Sequence, residues 1–150
     1  SSEAIMTRET YLINKGIEEG ATVVAGGPGR PDGLDTGYYV RPTVFADVNN
    51  EMTIAREEIF GPVLSVLTFR TPAEAIAKAN NTPYGLSAGI WSEKGSRILA
   101  VADQLRAGVI WANTFNRFDP ASPFGGYKES GYGREGGRHG LAAYLQGASW

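Results

Sequence analysis

No cysteine occurs among the 150 residues. That absence excludes disulfides, a cysteine-ligated zinc or cluster, and a thiolate nucleophile within these residues. Histidine is nearly as scarce. His139 is the single one; it lies beside Arg138 and Gly140 with no nucleophile or acid nearby, so it reads as a surface residue ahead of a catalytic base. No group of His, Asp and Glu has metal-ligand spacing, so no metal is expected. Basic charge is not in excess: the formal charge is −2 and the pI about 5.4. Such a chain offers no basic face to a phosphate backbone, which argues against a nucleic-acid partner. No apolar run approaches the roughly 18 residues of a membrane span. The opening SSEAIMTRET lacks the basic and apolar parts of a signal peptide, so a cytoplasmic location and no membrane partner are expected. Repeats, low-complexity tracts and linkers are also missing, leaving one domain or one piece of a larger domain.

What is present is a globular composition, 42% hydrophobic and 20% charged, able to bury a core. Residues 2 to 19 place Ile5, Leu12, Ile13 and Ile17 near one helical face, with Gly20 to stop the run. ATVVAGG reads as a short buried strand, and GGPGRPDGLDTG as an exposed loop with a solvated Arg30. In YYVRPTVFADV, Pro42 predicts an edge strand or one broken in the middle. GPVLSVLTF, from Gly61 to Phe69, is almost continuously apolar and predicts a central strand covered on both faces. Thr71, Pro72 and Glu74 form a helix start with a capping box. LSAGIWS is the next strand, EKGSRILAVADQL a helix with Ile98, Leu99, Val101, Ala102 and Leu105 at helical spacing and Gly108 to close it, and VIWANT a further strand. This alternation predicts an α/β fold, a mostly parallel sheet flanked by helices.

Several residues could carry chemistry. SPFGGYKESGYGREGG, from Ser122 to Gly137, crowds glycines around Lys128 and Arg134 like a phosphate cradle. Its spelling fits neither the P-loop nor the dinucleotide fingerprint, and no strand precedes it. Glu57 and Glu58 could hold ribose hydroxyls beside Phe60; equally they are a solvated acidic pair before a core phenylalanine. Asn113 ends a strand, either as an amide donor to a carbonyl oxygen or as a turn former. Phe115, Phe118 and Phe124 lie in one loop, as an apolar substrate entrance or simply as packing.

Four motifs give these residues a context: EEIFGPV at Glu57 to Val63, NNTPYGLSAGIWS at Asn80 to Ser92, GVIWANT at Gly108 to Thr114, and PFGGYKESGYGRE at Pro123 to Glu135. In that order the chain resembles the aldehyde dehydrogenase superfamily, whose members use NAD(P) to oxidise aldehydes to carboxylic acids. GYYVRPTVFADV and GLAAYLQ extend the likeness over almost every residue. Family members are several times longer, so the resemblance implies the C-terminal half of their catalytic domain, one partial domain over residues 1–150 without the Rossmann cofactor domain.

The resemblance also implies roles. The family's nucleophilic cysteine and general-base glutamate fall outside these residues, so no catalytic residue is expected here. Glu58 matches the residue that holds the nicotinamide ribose, with Phe60 beside the ring. Phe118 and Phe124 match aromatics of the substrate tunnel, favouring apolar aldehydes. Arg117 stands in that loop where many relatives carry a small or apolar residue, which leaves the substrate class open. NAD or NADP belongs to the complete enzyme and is not expected to bind this chain tightly alone. Gly125 and Gly126 would turn the chain beneath the site, while Arg134 and GLAAYLQ approach a neighbouring subunit, as in a homo-oligomer. The alternative is a short noncatalytic relative with a structural or assembly role.

Overall fold

The computed structural model describes residues 2–147. The chain divides into two compact units, Ser1–Phe69 and Arg70–Trp150.

The first unit opens with α1 (Glu3–Glu18), whose N-cap Ser2 hydroxyl accepts a hydrogen bond from the Ile5 N–H. Gly20, at φ +94°, follows the helix and lets the chain turn away. The buried face runs through Glu9, Leu12, Ile13 and Gly16, while Ile5 and Ile17 are exposed. That face is rotated from the one the apolar spacing suggests. The cause is Gly16, where a Cβ would stand 2.9 Å from Ile54 and 3.2 Å from Phe45. Lacking it, the helix docks closely along that line.

Three short strands follow: β1 (Thr22–Ala25), β2 (Thr43–Ala46) and β3 (Val63–Ser65), with α2 (Thr53–Arg56) between the last two. The order is β1-β2-β3, antiparallel then parallel. The parallel pair is the one that brackets a helix, as such crossovers require. β1 is largely exposed rather than buried, because it is an outer strand. β2 begins just after Pro42 and lies in the middle of the sheet with Thr43 and Phe45 buried, so the proline breaks the segment rather than marking an edge. β3 is an outer strand, not the central one expected; Leu64 is 58% exposed. Apolarity along GPVLSVLTF shows that the segment suits cover on two faces, and this unit supplies only one. The core joins Ile13, Ala21, Phe45, Val48, Met52 and Ile54. Arg30 is not merely solvated: its guanidinium donates to the Asp35 carbonyl and helps close the glycine-rich loop.

The second unit contains α3 (Pro72–Asn80), β4 (Tyr84–Gly85), β5 (Ser87–Ile90), α4 (Gly95–Ala102), β6 (Val109–Ala112), β7 (Tyr127–Lys128) and α5 (Gly137–Ala142). Thr71 caps α3 by accepting from the Glu74 N–H at 3.1 Å. Glu74 reaches back to the Arg70 N–H at 2.8 Å and pairs with Lys78 at 2.7 Å. β5 and β6 pair in parallel across α4, whereas β4 and β7 are antiparallel. α4 ends at Ala102, short of Leu105, and Leu99 is exposed. The chain is α/β as its alternation implies, and among the described residues its strands form three small sheets.

Candidate functional site

In the first unit the acidic motif forms the turn between α2 and β3. Glu57 closes α2 with its N–H on the Thr53 carbonyl. Glu58 is exposed, and its carboxylate has no hydrogen bond or ion pair among the described residues. Phe60 is 80% exposed and has φ +60°, a left-handed backbone rare for a bulky side chain. A core phenylalanine is therefore not what this residue is. The turn sets an unengaged carboxylate two positions from an outward aromatic ring.

In the second unit β6 leads into the aromatic loop. Phe118 stands edge-on to Phe124, with ring centroids 5.0 Å apart at 88°. Trp111, on β6, meets Phe118 at 5.3 Å and 86°, and Phe115 at 6.1 Å. Phe118 and Phe124 are thus brought together, and Trp111 joins them although it was not among the expected site residues. Its place in VIWANT, immediately before an aromatic loop, was the available signal. The Trp111 indole N–H is buried with no partner among the described residues. Arg117 is exposed. Asn113 takes up a turn, at φ +53°, and clips the ends of β5 and β6: its Oδ1 accepts from the Ser92 N–H at 2.9 Å and its Nδ2 donates to the Ser92 carbonyl at 3.0 Å. His139 is exposed in the last turn of α5.

The glycine-rich stretch is knitted to its own unit. The Lys128 ammonium donates to the carbonyls of Asn80 and Thr82, both at 3.0 Å. Arg134 Nη1 donates to the carbonyls of Gly126, Tyr132 and Gly133, and the guanidinium lies 5.4 Å from the Tyr127 ring centroid. Arg134 holds the loop, because the turn presents carbonyls that need a donor. A Cβ at Gly125 would collide with the Gly133 carbonyl, so glycine permits the close approach of two backbones there. Gly125, Gly126, Gly133 and Arg134 line a cleft of about 430 Å³ with Leu86, Phe124 and Tyr144. The two cations of the loop, Lys128 and Arg134, are already committed to carbonyl oxygens, so the loop is not a phosphate cradle.

Carboxylate pKa shifts occur away from these groups. Hydrogen bonds from the Thr53 hydroxyl and N–H hold Glu19 below the usual carboxylate range, and contact with Lys78 followed by the Arg70 N–H does so for Glu74. Both are structural devices at helix starts.

The profile of the aldehyde dehydrogenase family matches residues 2–149. The putative aldehyde dehydrogenase DhaS of Bacillus subtilis is 52% identical over 139 residues, covering 93% of this chain and 28% of DhaS. An aldehyde dehydrogenase of Mycobacterium tuberculosis, solved with NAD+, superposes with a TM-score of 0.92 at 51% identity, covering 97% of this chain and 30% of that one. A mutant of aldehyde dehydrogenase C from Pseudomonas syringae, solved with NAD+ and octanal, gives 0.92 at 49% identity over the same shares. The chain thus spans between a quarter and a third of the length of these relatives. A match over nearly every residue, at half identity and with the same backbone, means that the chain belongs to the aldehyde dehydrogenase family.

Proposed function

We propose that this chain supplies the nicotinamide-ribose contact and part of the substrate wall to an NAD(P)-dependent aldehyde dehydrogenase that oxidises an apolar aldehyde to its acid. The observation that carries the reading is the pairing of a free, exposed carboxylate at Glu58 with the outward ring of Phe60. Their chemistry fits the cofactor. A carboxylate is acceptor-only and can take two hydroxyl hydrogens of a ribose, while an exposed aromatic face suits a planar ring. When bound, NAD(P) accepts the hydride released by the aldehyde carbon.

The residues here bind and orient. Glu58 would fix the ribose and so the ring attached to it; Phe60 would limit the ring's tilt and keep water from that face. Phe118 and Phe124, with Trp111 behind them, would line the aldehyde's path with apolar surface. The octanal bound to the Pseudomonas relative is an aldehyde of that class. No thiol is available among these residues, so the nucleophile and the general base belong to the rest of the enzyme, as does the dinucleotide-binding domain. Residues 1–150 form one partial domain, the C-terminal part of the catalytic domain, and the complete protein is a homo-oligomer.

The test is NADH formation at 340 nm by the complete protein given a medium-chain aldehyde. Aldehyde-dependent reduction of NAD+ or NADP+ is expected. Absence of reduction with either cofactor, across aliphatic and aromatic aldehydes, would overturn the proposal.

A further inference from the structure

The aromatic loop that follows β6 carries one cation. Arg117 is the only Lys or Arg between Phe115 and Phe124, and it is exposed, as are Phe115 and Phe118 close to it in the chain. Among the described residues its guanidinium has no hydrogen bond, ion pair or aromatic face. Asp119, the nearest carboxylate along the chain, is engaged elsewhere: its Oδ1 accepts from the Ala121 N–H at 2.8 Å, and its carbonyl accepts from the Ser122 N–H at 3.0 Å. The loop that presents Arg117 is tied down on both sides. Phe118 meets Trp111 and Phe124 edge-on, and the Pro120 carbonyl accepts from the Gly137 N–H at 2.9 Å. Phe124 and Glu135 exchange backbone hydrogen bonds at 2.8 and 2.7 Å. Asn116, at φ +54°, turns the chain immediately before Arg117.

We infer that Arg117 is a specificity-determining residue, and that the substrates it selects are aldehydes with an apolar chain ending in a carboxylate, the ω-oxo carboxylates. This rests on the reading of Phe118 and Phe124 as substrate wall. A purely apolar aldehyde passing these rings would strip water from an unpaired guanidinium and return nothing for it, whereas a distal carboxylate replaces that water with two parallel charge-assisted hydrogen bonds. The planar fork of arginine matches a carboxylate in shape, and its single charge matches a single negative one. A phosphate dianion would call for a second cation, which the loop from Phe115 to Phe124 does not contain. Because the loop is already fixed, engaging the carboxylate orders little beyond the arginine side chain itself. The apolar chain and the charged end are thus read by adjacent residues, Phe118 and Arg117.

The experiment measures kcat/KM of the complete protein, with NAD+ or NADP+, for a series of ω-oxo carboxylates from 4-oxobutanoate to 10-oxodecanoate, each set beside the plain aldehyde of equal chain length. The quantity read is the ratio of the two kcat/KM values in wild type, Arg117→Met and Arg117→Lys. For Arg117→Met we expect that ratio to fall by about tenfold at the chain length that reaches Arg117, the size of a charge-assisted hydrogen bond. Arg117→Lys, which keeps the charge without the fork, should recover part of the loss. A ratio that is the same in wild type and Arg117→Met at every chain length, whether both substrates are slowed equally or neither is, would overturn this inference; continued oxidation of the plain aldehydes would then leave the dehydrogenase reading standing. Failure of wild type to oxidise any member of either series with either cofactor would remove the dehydrogenase reading first, and this inference with it. If Arg117→Met does not accumulate as folded protein, Arg117→Lys decides, and its ratio must be measurably below that of wild type.

Discussion

Lys128 shows how one residue's surroundings change its meaning. Amid glycines it looks like an anion binder, yet its ammonium is committed to two carbonyls on the Asn80–Thr82 turn. It is a cross-link between segments 46 and 48 residues apart. Lys128→Met should destabilise the fold by about 1–3 kcal/mol through two unsatisfied carbonyls, seen as a lower denaturant midpoint. Phe118 is the opposite case, a residue whose role faces outward. Phe118→Ala removes two edge-to-face contacts worth about 0.5–1.5 kcal/mol each, as well as the substrate wall proposed above. We expect kcat/KM for a medium-chain aldehyde to fall by about tenfold, with acetaldehyde affected much less. An equal loss for both aldehydes would count against a tunnel-lining role.

Among the elements, local signals were legible and distant ones were not. The start of α3 could be read because Thr71, Pro72 and Glu74 fall within one turn, and the structure forms that cap. The start of α2 could not. Its N-cap, Met52, offers no side-chain acceptor, and the cap comes from Glu19, which accepts from the Thr53 N–H at 2.6 Å and the Thr53 hydroxyl at 2.7 Å across 34 positions. No spacing rule reaches that far. The same limit explains Phe60: the sequence shows a phenylalanine shortly after two glutamates, not that its backbone is left-handed and its ring exposed. The Glu19 cap also carries a pH dependence. Its carboxyl titrates lower in the folded state than in the unfolded one. Its contribution is therefore complete above the usual carboxylate range and is lost as pH falls through the lowered folded value. Relative to wild type, Glu19→Gln should be less stable at neutral pH and should lose less stability between pH 6 and roughly pH 3. Parallel curves of unfolding midpoint against pH would contradict that role.

On the scale of the whole molecule, the sequence conveyed the class and the family but not the division of surfaces. Strand and helix alternate as read, and the two parallel ladders are those that bracket helices. Among the described residues the strands group into three small sheets, because an apolar run such as GPVLSVLTF reports suitability for burial without saying what does the burying. Leu64, Val66 and Phe69 are exposed in this chain, consistent with surface that other parts of the enzyme cover. The proposed cofactor and substrate contacts rest on the motifs that single out Glu58, Phe60, Phe118 and Phe124. Trp111 was missed because a tryptophan in a strand reads as ordinary core. Since residues 1–150 contain no thiol, purified alone they should show no aldehyde-dependent NAD+ reduction. Turnover by that segment would require a nucleophile other than cysteine.

The most direct measurement is the NAD+ dissociation constant of the complete protein carrying Glu58→Gln, set beside Lys128→Met. If the cofactor contact lies in the Glu57–Gly61 turn, Glu58→Gln weakens NAD+ binding by about 1–3 kcal/mol, roughly five- to 150-fold, and Lys128→Met leaves it near wild type. Wild-type affinity in Glu58→Gln together with a large loss in Lys128→Met would place the contact in the glycine-rich loop and contradict the assignment.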